Sequence, residues 1–108
     1  MAALDGLDFH ISRVYGEHEV VVYVYGEVDL VTAPHLFEEL ATAVEHKGRM
    51  VIDLAGMSFI DSQGIRVLLD ACRARRGLGH DLVVRSPQPQ ARTVLRVTGL
   101  DKLLTLED

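Results

Sequence analysis

The chain has 108 residues, 48% of them hydrophobic, with 16 acidic against 11 basic residues and a formal net charge of -5. A chain of this length buries roughly two-thirds of its unfolded surface, so we expect one core and a single domain over residues 1–108. The negative charge repels nucleic-acid phosphates and anionic lipids, so neither nucleic acid nor a membrane is an expected partner.

The sequence contains no recognisable membrane-spanning or secretory segment, which predicts a cytoplasmic protein. The longest strongly apolar run, residues 20–25, is far shorter than the roughly 20 residues that a membrane-spanning helix needs. Residues 1–8 are acidic and lack a basic flank, unlike a secretory signal. Cys72 is the only cysteine, so no intramolecular disulfide can form. Its helical spacing with Ile65 and Leu68 predicts a buried hydrophobe and not a redox centre.

Two β-strands and a helix are predicted in the first half of the chain. Residues 9–15 and 19–25 are rich in β-branched and aromatic side chains, which favours a β-hairpin. Apolar residues at helical spacing follow, with Thr32 as the expected N-cap and Pro34 in the first turn. This first helix is expected to end near Gly48.

Strands and helices alternate in the second half as well. Residues 50–54 form an apolar run of strand length, and a second amphipathic helix is predicted from Asp61 or Ser62 to about Arg76. Residues 81–85 predict a further strand. The remaining predicted elements are a third helix that contains Ala91, Val94 and Leu95 and is stopped by Gly99, and a short edge strand at residues 102–106. The order ββαβαβαβ indicates an α/β fold with a mixed, mainly parallel sheet.

Known catalytic and metal-binding motifs lack essential residues in this sequence. The five histidines include no pair four residues apart on one helix. Ile60 stands where a hydrolase nucleophile elbow needs its second glycine. The glycines at residues 77–79 precede a strand, unlike a dinucleotide-binding loop. Asp53 resembles the acceptor of a receiver domain, but residues 9–15 end without the acidic pair that would hold a divalent cation. We therefore expect no catalysis, no metal and no cofactor.

Asp61 and Ser62 lie at the predicted start of the second helix. Asp and Ser side chains commonly accept bonds from the free N–H groups there, so either residue is a candidate cap. A phosphate on Ser62 would meet unpaired backbone N–H groups and the positive end of the helix dipole. Two roles therefore stay open for the Ser62 hydroxyl: it caps the helix, or it is a site of modification.

Four short segments stand in a fixed order along almost the whole chain. They are Gly26-Glu-Val-Asp29 followed by Thr32-Ala33, Val51-Ile-Asp-Leu54, Ser58-Phe-Ile-Asp-Ser-Gln-Gly-Ile65 and Val97-Thr-Gly-Leu100. Their order and spacing resemble the STAS family, and more narrowly its bacterial anti-sigma factor antagonists. The resemblance implies a single STAS domain.

The resemblance also implies a partner-switching cycle. In such a cycle the unmodified protein binds an anti-sigma factor that is also an ATP-dependent serine kinase, and this binding frees a sigma factor. The kinase then phosphorylates the antagonist, and a separate serine phosphatase reverses the modification. The family's acceptor serine falls on Ser62 and its loop aspartate on Asp29. Gln63 departs from the pattern, because many relatives have a second Ser or Thr there, and this bears on kinase recognition.

The implied partner-binding surface combines the loop before the first helix with the start of the second helix. Its expected residues are Asp29, Thr32, Ser58, Asp61, Gln63, Gly64, Ile65 and Arg66. Asp29 either contacts the partner or organises its own loop. Gly64 either allows close approach of the partner or eases the loop-to-helix transition.

The arginines of the second helix have structural explanations at this level. Arg66, Asp70 and Arg73 stand at spacings that predict a solvated ion-pair face. Arg75 and Arg76, together with Arg73, lie where cations complement the helix dipole.

Two other functions stay open. One is a non-catalytic STAS scaffold subunit of a larger signalling assembly, in which Ser62 only caps a helix. The other is a small α/β enzyme that uses Ser62 or the carboxylates, but the sequence contains no complete catalytic constellation. We expect a non-enzymatic binding protein that is monomeric when free.

Overall fold

The computed structural model describes residues 8–108, so the prediction that residues 1–8 are no secretory signal falls almost wholly outside it. The elements are β1 (Phe9–Tyr15), β2 (Glu19–Val28), α1 (Ala33–Ala43), β3 (Arg49–Ile60), α2 (Ser62–Gly77), β4 (Val83–Arg85), α3 (Pro89–Val97) and β5 (Thr105–Glu107). A short 3-10 helix, Leu100–Lys102, precedes the last strand. The predicted order ββαβαβαβ is confirmed.

The strands form one five-stranded sheet in the order β1-β2-β3-β4-β5. The hairpin pair β1 and β2 is antiparallel, and the three following pairs are parallel. Each parallel crossover carries one helix and leads to the adjacent strand, so the right-handed crossover rule places the three helices on one face of the sheet. The predicted mixed, mainly parallel sheet is confirmed.

The main core lies between the sheet and these helices. Alternate residues of β2, among them Val20, Val22 and Val24, point into it together with apolar residues of all three helices. Val21 and Val51 belong to a small second cluster on the opposite face of the sheet. Because apolar residues lie on both faces of the central strands, these strands appear in the sequence as continuous β-branched and apolar runs, by which they were predicted.

Strands β2 and β3 extend further than predicted, to Val28 and Ile60. Their register shifts twice, between Tyr23 and Tyr25 and next to Gly26, so that the pairing continues past the apolar runs. Gly26 has φ 93°, and a Cβ atom there would lie 1.6 Å from the carbonyl oxygen of Asp8. The extra length carries the two loops that follow these strands to the same edge of the sheet.

Arg75 was predicted to complement the dipole at the end of α2, and the structure gives it a further role inside the protein. Its side chain is 1% exposed. Nε donates to Asp81 O at 3.2 Å, and the terminal nitrogens donate to Val44 O at 3.2 Å, His46 O at 2.6 Å and Gly48 O at 2.8 Å. Burial lowers the pKa of this guanidinium. The charge ties the ends of α1 and α2 to the starts of β3 and β4.

Candidate functional site

The loops after β2 and β3 meet where these two parallel strands end. The backbone N–H of Asp61 donates to Val28 O at 3.1 Å, which joins the two chain segments directly. Because of this contact, the loop that begins at Asp29 lies beside the first turn of α2. The sequence prediction that both segments contribute to one surface is consistent with this arrangement.

The β2–α1 loop is held by reciprocal hydrogen bonds between Asp29 and Thr32. Asp29 Oδ1 accepts from Val31 N at 2.9 Å and Thr32 N at 3.1 Å, and Thr32 Oγ1 accepts from Asp29 N at 2.9 Å. The Thr32 hydroxyl donates to Glu27 O at 2.8 Å, and its residue is only 4% exposed. Thr32 occupies the N-cap position without a side-chain cap bond. Thr32 was expected among the partner-binding residues, but its side chain is buried and holds the loop from inside.

The first turn of α2 is capped by Asp61. Its backbone is extended, with ψ -170°, and Oδ1 accepts from Gln63 N at 2.8 Å and Gly64 N at 3.3 Å. Ser62 is the first helical residue and is exposed. Within residues 8–108 no hydrogen bond engages its hydroxyl. The alternative in which Ser62 caps the helix is therefore wrong, since Asp61 has that role.

This cap changes the expected surroundings of a phosphate on Ser62. Two first-turn amides, those of Gln63 and Gly64, already bond to the Asp61 carboxylate. A phosphate would compete with that carboxylate for the amides and would be repelled by its charge. The expectation that a phosphate meets only unpaired N–H groups is thus corrected.

Gly64 is required by packing inside the protein. A Cβ atom at this position would lie 2.5 Å from Ile60 Cγ1 and 2.7 Å from Val28 Cγ1. The glycine lets α2 lie directly on the ends of β2 and β3. Ile65, the next residue, is also buried. The expectation that these two residues are exposed at the start of the helix is wrong, and they support the surface from beneath.

The accessible part of the predicted surface is smaller and more apolar than expected. Four of the predicted residues are exposed, namely Ser58, Ser62, Gln63 and Arg66. Two more, Asp29 and Asp61, are half-buried. Leu30 is 71% and Val31 62% exposed in the same loop, and sequence reasoning missed both. Leu30 lines a groove between α1 and α2 together with Phe37 and Arg66. The sequence signal that could have revealed them is a pair of adjacent apolar residues in the loop between a strand and a helix cap.

The predicted ion-pair face on α2 does not form. Within the part of the chain that the structure describes, Asp70 takes part in no salt bridge, and neither do Arg66 and Arg73. Their side chains are exposed to solvent. The helix therefore presents unpaired cations, the first of them, Arg66, about one turn after Ser62.

Between residues 8 and 108, the structure contains no group of three or more metal-ligating side chains. Over the same residues, no helix is both long and apolar enough to cross a bilayer.

Comparison with known proteins relates this site to one family. A family model described as "Mlab, STAS domain" matches residues 12–105. The anti-sigma-B factor antagonist of Listeria monocytogenes is 28% identical over 88 residues, which cover 81% of this chain and 77% of that protein. The crystal structure of an anti-sigma factor antagonist from Mycobacterium paratuberculosis is 31% identical, with a TM-score of 0.79, and the match covers 92% of this chain and 85% of that one.

The fold is also similar to the phosphorylated form of SpoIIAA, a Bacillus cell fate determinant. That match has 21% identity and a TM-score of 0.68, and covers 91% of this chain and 89% of the other. The family model runs from within β1 to the start of β5, so it includes both loops of the site. The chain therefore belongs to the STAS domain family and is similar to its anti-sigma factor antagonists.

Proposed function

We propose that this protein is an anti-sigma factor antagonist whose binding to a serine kinase is switched off by phosphorylation of Ser62. The observation that carries the proposal is the state of this side chain. Ser62 is exposed at the start of α2, and its hydroxyl has no partner within residues 8–108 because Asp61 caps the helix. A kinase can therefore modify it without breaking a bond that holds the fold.

The surroundings of Ser62 support a role in protein binding. The exposed side chains of Leu30 and Val31 stand on the adjoining loop, which is fixed by Asp29 and Thr32. Apolar groups on a rigid loop lose little conformational entropy when a partner covers them. In the proposed cycle the catalytic groups and the ATP belong to the kinase, and this chain is its cytoplasmic, monomeric substrate.

A phosphate at Ser62 gives the switch its electrostatic basis. It adds about -1.5 to -2 charge beside the Asp61 carboxylate. Burying that charge in an interface that fitted a neutral hydroxyl is costly, and about 1.4 kcal/mol already changes affinity tenfold. The names of the similar proteins support the same scheme, since they are anti-sigma factor antagonists and the SpoIIAA structure is of a phosphorylated form. A separate serine phosphatase would reset the cycle.

The test is phosphorylation by the serine kinases encoded in the same genome, followed by peptide mass spectrometry. Ser62→Ala removes the proposed acceptor, and Thr42→Ala is the control because Thr42 is an exposed hydroxyl residue of α1 outside the predicted partner-binding surface. We expect one phosphate on Ser62 in the native protein and in Thr42→Ala, and none in Ser62→Ala. The phosphorylated protein should bind the kinase at least about tenfold more weakly.

Two results would contradict the switch. One is the absence of any phosphate after incubation with kinases that are demonstrably active. The other is unchanged kinase affinity after complete phosphorylation. Concentration-dependent self-association in sedimentation experiments, combined with either result, would favour the scaffold function.

A further inference from the structure

We propose that the exposed face of α2 docks an acidic protein surface of the kinase through an arginine stripe. The stripe consists of Arg66, Arg73 and Arg76 and begins next to Ser62. This proposal rests on the proposed function, because it specifies the chemistry of the partner's binding face and the way in which a phosphate on Ser62 weakens the binding.

The spacing of the residues places them on one side of the helix. At 3.6 residues per turn, positions 62, 66, 69, 73 and 76 fall within a sector about 80° wide. Ser62, Arg66, Leu69 and Arg73 line one common groove along this face. The stripe is therefore continuous with the proposed phosphorylation site.

Most arginines outside the stripe are engaged within the protein, and Arg96 of α3 is the exception among residues 8–108. Among residues 8–108, four arginines form ion pairs: Arg13 with Glu39, Arg49 with Glu107, Arg85 with Asp53 and Arg92 with Asp108. Within residues 8–108, the three stripe arginines form no ion pair and no side-chain hydrogen bond, and all three are exposed. Their charges are available to a partner.

Helix stability accounts for only part of the stripe. Arg73 and Arg76 lie towards the C-terminal end of α2, where a cation is favourable. Arg66 is the fifth residue of α2 and lies beyond its first turn, so the helix dipole does not favour its charge. The fold gains nothing from Arg66 through the dipole or through an ion pair, so its charge is best explained by an external acidic group.

A protein surface fits the stripe better than nucleic acid or lipid. The whole chain carries a net charge of -5, which repels extended polyanions at long range. At short range, the stripe arginines flank the partly buried side chain of Leu69, and exposed Asp70 borders the groove. Alternating charged and apolar contacts of this kind match the polar rim and apolar centre of a protein interface.

The stripe also explains how phosphate acts. A phosphate on Ser62 would repel an acidic partner surface that lies along the same face. It would also stand four residues before Arg66, a spacing at which opposite charges on a helix attract each other. The modification therefore repels the partner and neutralises the nearest cation of the stripe at once.

The kinase that phosphorylates Ser62 provides the first test. We expect the double variant Arg66→Gln/Arg73→Gln to reduce kcat/KM for phosphorylation about tenfold at low salt, and added NaCl should reduce the native rate towards that of the variant. Arg96→Gln, which removes an exposed unpaired arginine of α3, is the matched control and should retain the native rate. Native rates in the folded double variant overturn the docking surface and leave the Ser62 switch intact.

A second test needs no kinase and decides on the stripe even if no kinase modifies Ser62. The ¹⁵N-labelled protein is titrated with a synthetic oligo-glutamate peptide, with oligothymidylate and with phosphatidylserine vesicles. We expect the peptide to shift the amide signals of α2, and we expect Arg66→Gln/Arg73→Gln to abolish the shifts. The absence of shifts, shifts that persist in the double variant, or a stronger response to the nucleotide or the lipid contradict an acidic protein partner.

Discussion

Asp61, and not Ser62, caps helix α2, and this leaves the Ser62 hydroxyl exposed and without an internal partner. Two adjacent residues of similar capping ability thus have separate duties. The carboxylate stabilises the helix, and the hydroxyl is free for chemistry. The stability of the protein should therefore depend on the first residue and its regulation on the second.

Replacement of Asp61 tests this division. We expect Asp61→Ala to lower the free energy of unfolding by about 1 kcal/mol, because two first-turn amides lose their acceptor. Ser62→Ala should change it by less than about 0.5 kcal/mol, since no internal hydrogen bond is lost. Urea unfolding monitored by circular dichroism measures both. A larger loss for Ser62→Ala than for Asp61→Ala would show that the cap is misassigned.

Gly64 offers a second prediction, on packing. Gly64→Ala places a Cβ atom 2.5 Å from Ile60 Cγ1, and relieving this clash should cost about 1–3 kcal/mol of stability. Gly77→Ala is the matched control on the same helix, because nothing lies within 4 Å of its added Cβ. The control should leave stability unchanged or raise it by up to about 1 kcal/mol. Equal thermal unfolding of the two variants would contradict the close contact.

Buried Arg75 gives the largest expected loss of stability. Arg75→Met removes the charged donor from four backbone carbonyls, of which that of Val44 is buried and the other three are partly buried. We expect the free energy of unfolding to fall by about 3 kcal/mol or more. Arg76→Met, at the exposed neighbouring position, should change it by less than about 0.5 kcal/mol. Denaturant titration of both variants measures the two free energies of unfolding. A mild effect of Arg75→Met would mean that water replaces the guanidinium as the donor to these carbonyls.

The thiol of Cys72 predicts a dependence of stability on alkaline pH. Burial raises the pKa of this thiol above its usual value of 9.0, and its Sγ donates to Leu103 O at 3.1 Å. The protonated form is favoured in the folded state, so its contribution is fully present below the unfolded pKa and is lost as pH rises from there through the higher folded pKa. Cys72→Ala should therefore lose less stability than the native protein above pH of about 9. Parallel stability curves would contradict this assignment.

The phosphorylated protein allows a prediction about Arg66. A cation one helical turn from phosphoserine favours the dianion, so the second pKa of the phosphate should be higher in Arg66→Gln, by about 0.3 units. The Asp61 carboxylate acts in the opposite direction, and Asp61→Asn should lower that pKa. Titration followed by ³¹P NMR measures the change. An unshifted titration in Arg66→Gln would exclude the pairing and leave repulsion of the partner as the only effect of the phosphate.

The order of the elements was predicted well because the core strands are short runs of β-branched and apolar residues and the helices keep apolar residues at helical spacing. The ends of β2 and β3 were predicted less well, since register shifts near Gly26 depend on pairing with another strand. Burial of Arg75 was beyond prediction from local pattern. Three of its four acceptor carbonyls belong to residues 27 to 31 positions away in the chain.

The candidate site was predicted in position and only partly in detail. The motif around Ser62 correctly indicated the edge of the sheet at which the site lies. A motif does not distinguish residues exposed on a surface from residues that support that surface from beneath. Gly64 and Thr32 are fixed by contacts that only the folded chain creates. Choosing between Asp61 and Ser62 as the cap required the extended backbone at Asp61.

Helix α2 is anchored at both ends on its inner side, by Gly64 against the strands and by Arg75 among the carbonyls. Its outer side carries none of that anchorage, so the residues there can be exchanged with little effect on folding. Pairs of this protein and its partner that bind only each other could therefore be engineered without changing the fold. If the charges along the outer side are reversed, and the opposite changes are made in a partner, the two variants should bind each other and not the native proteins.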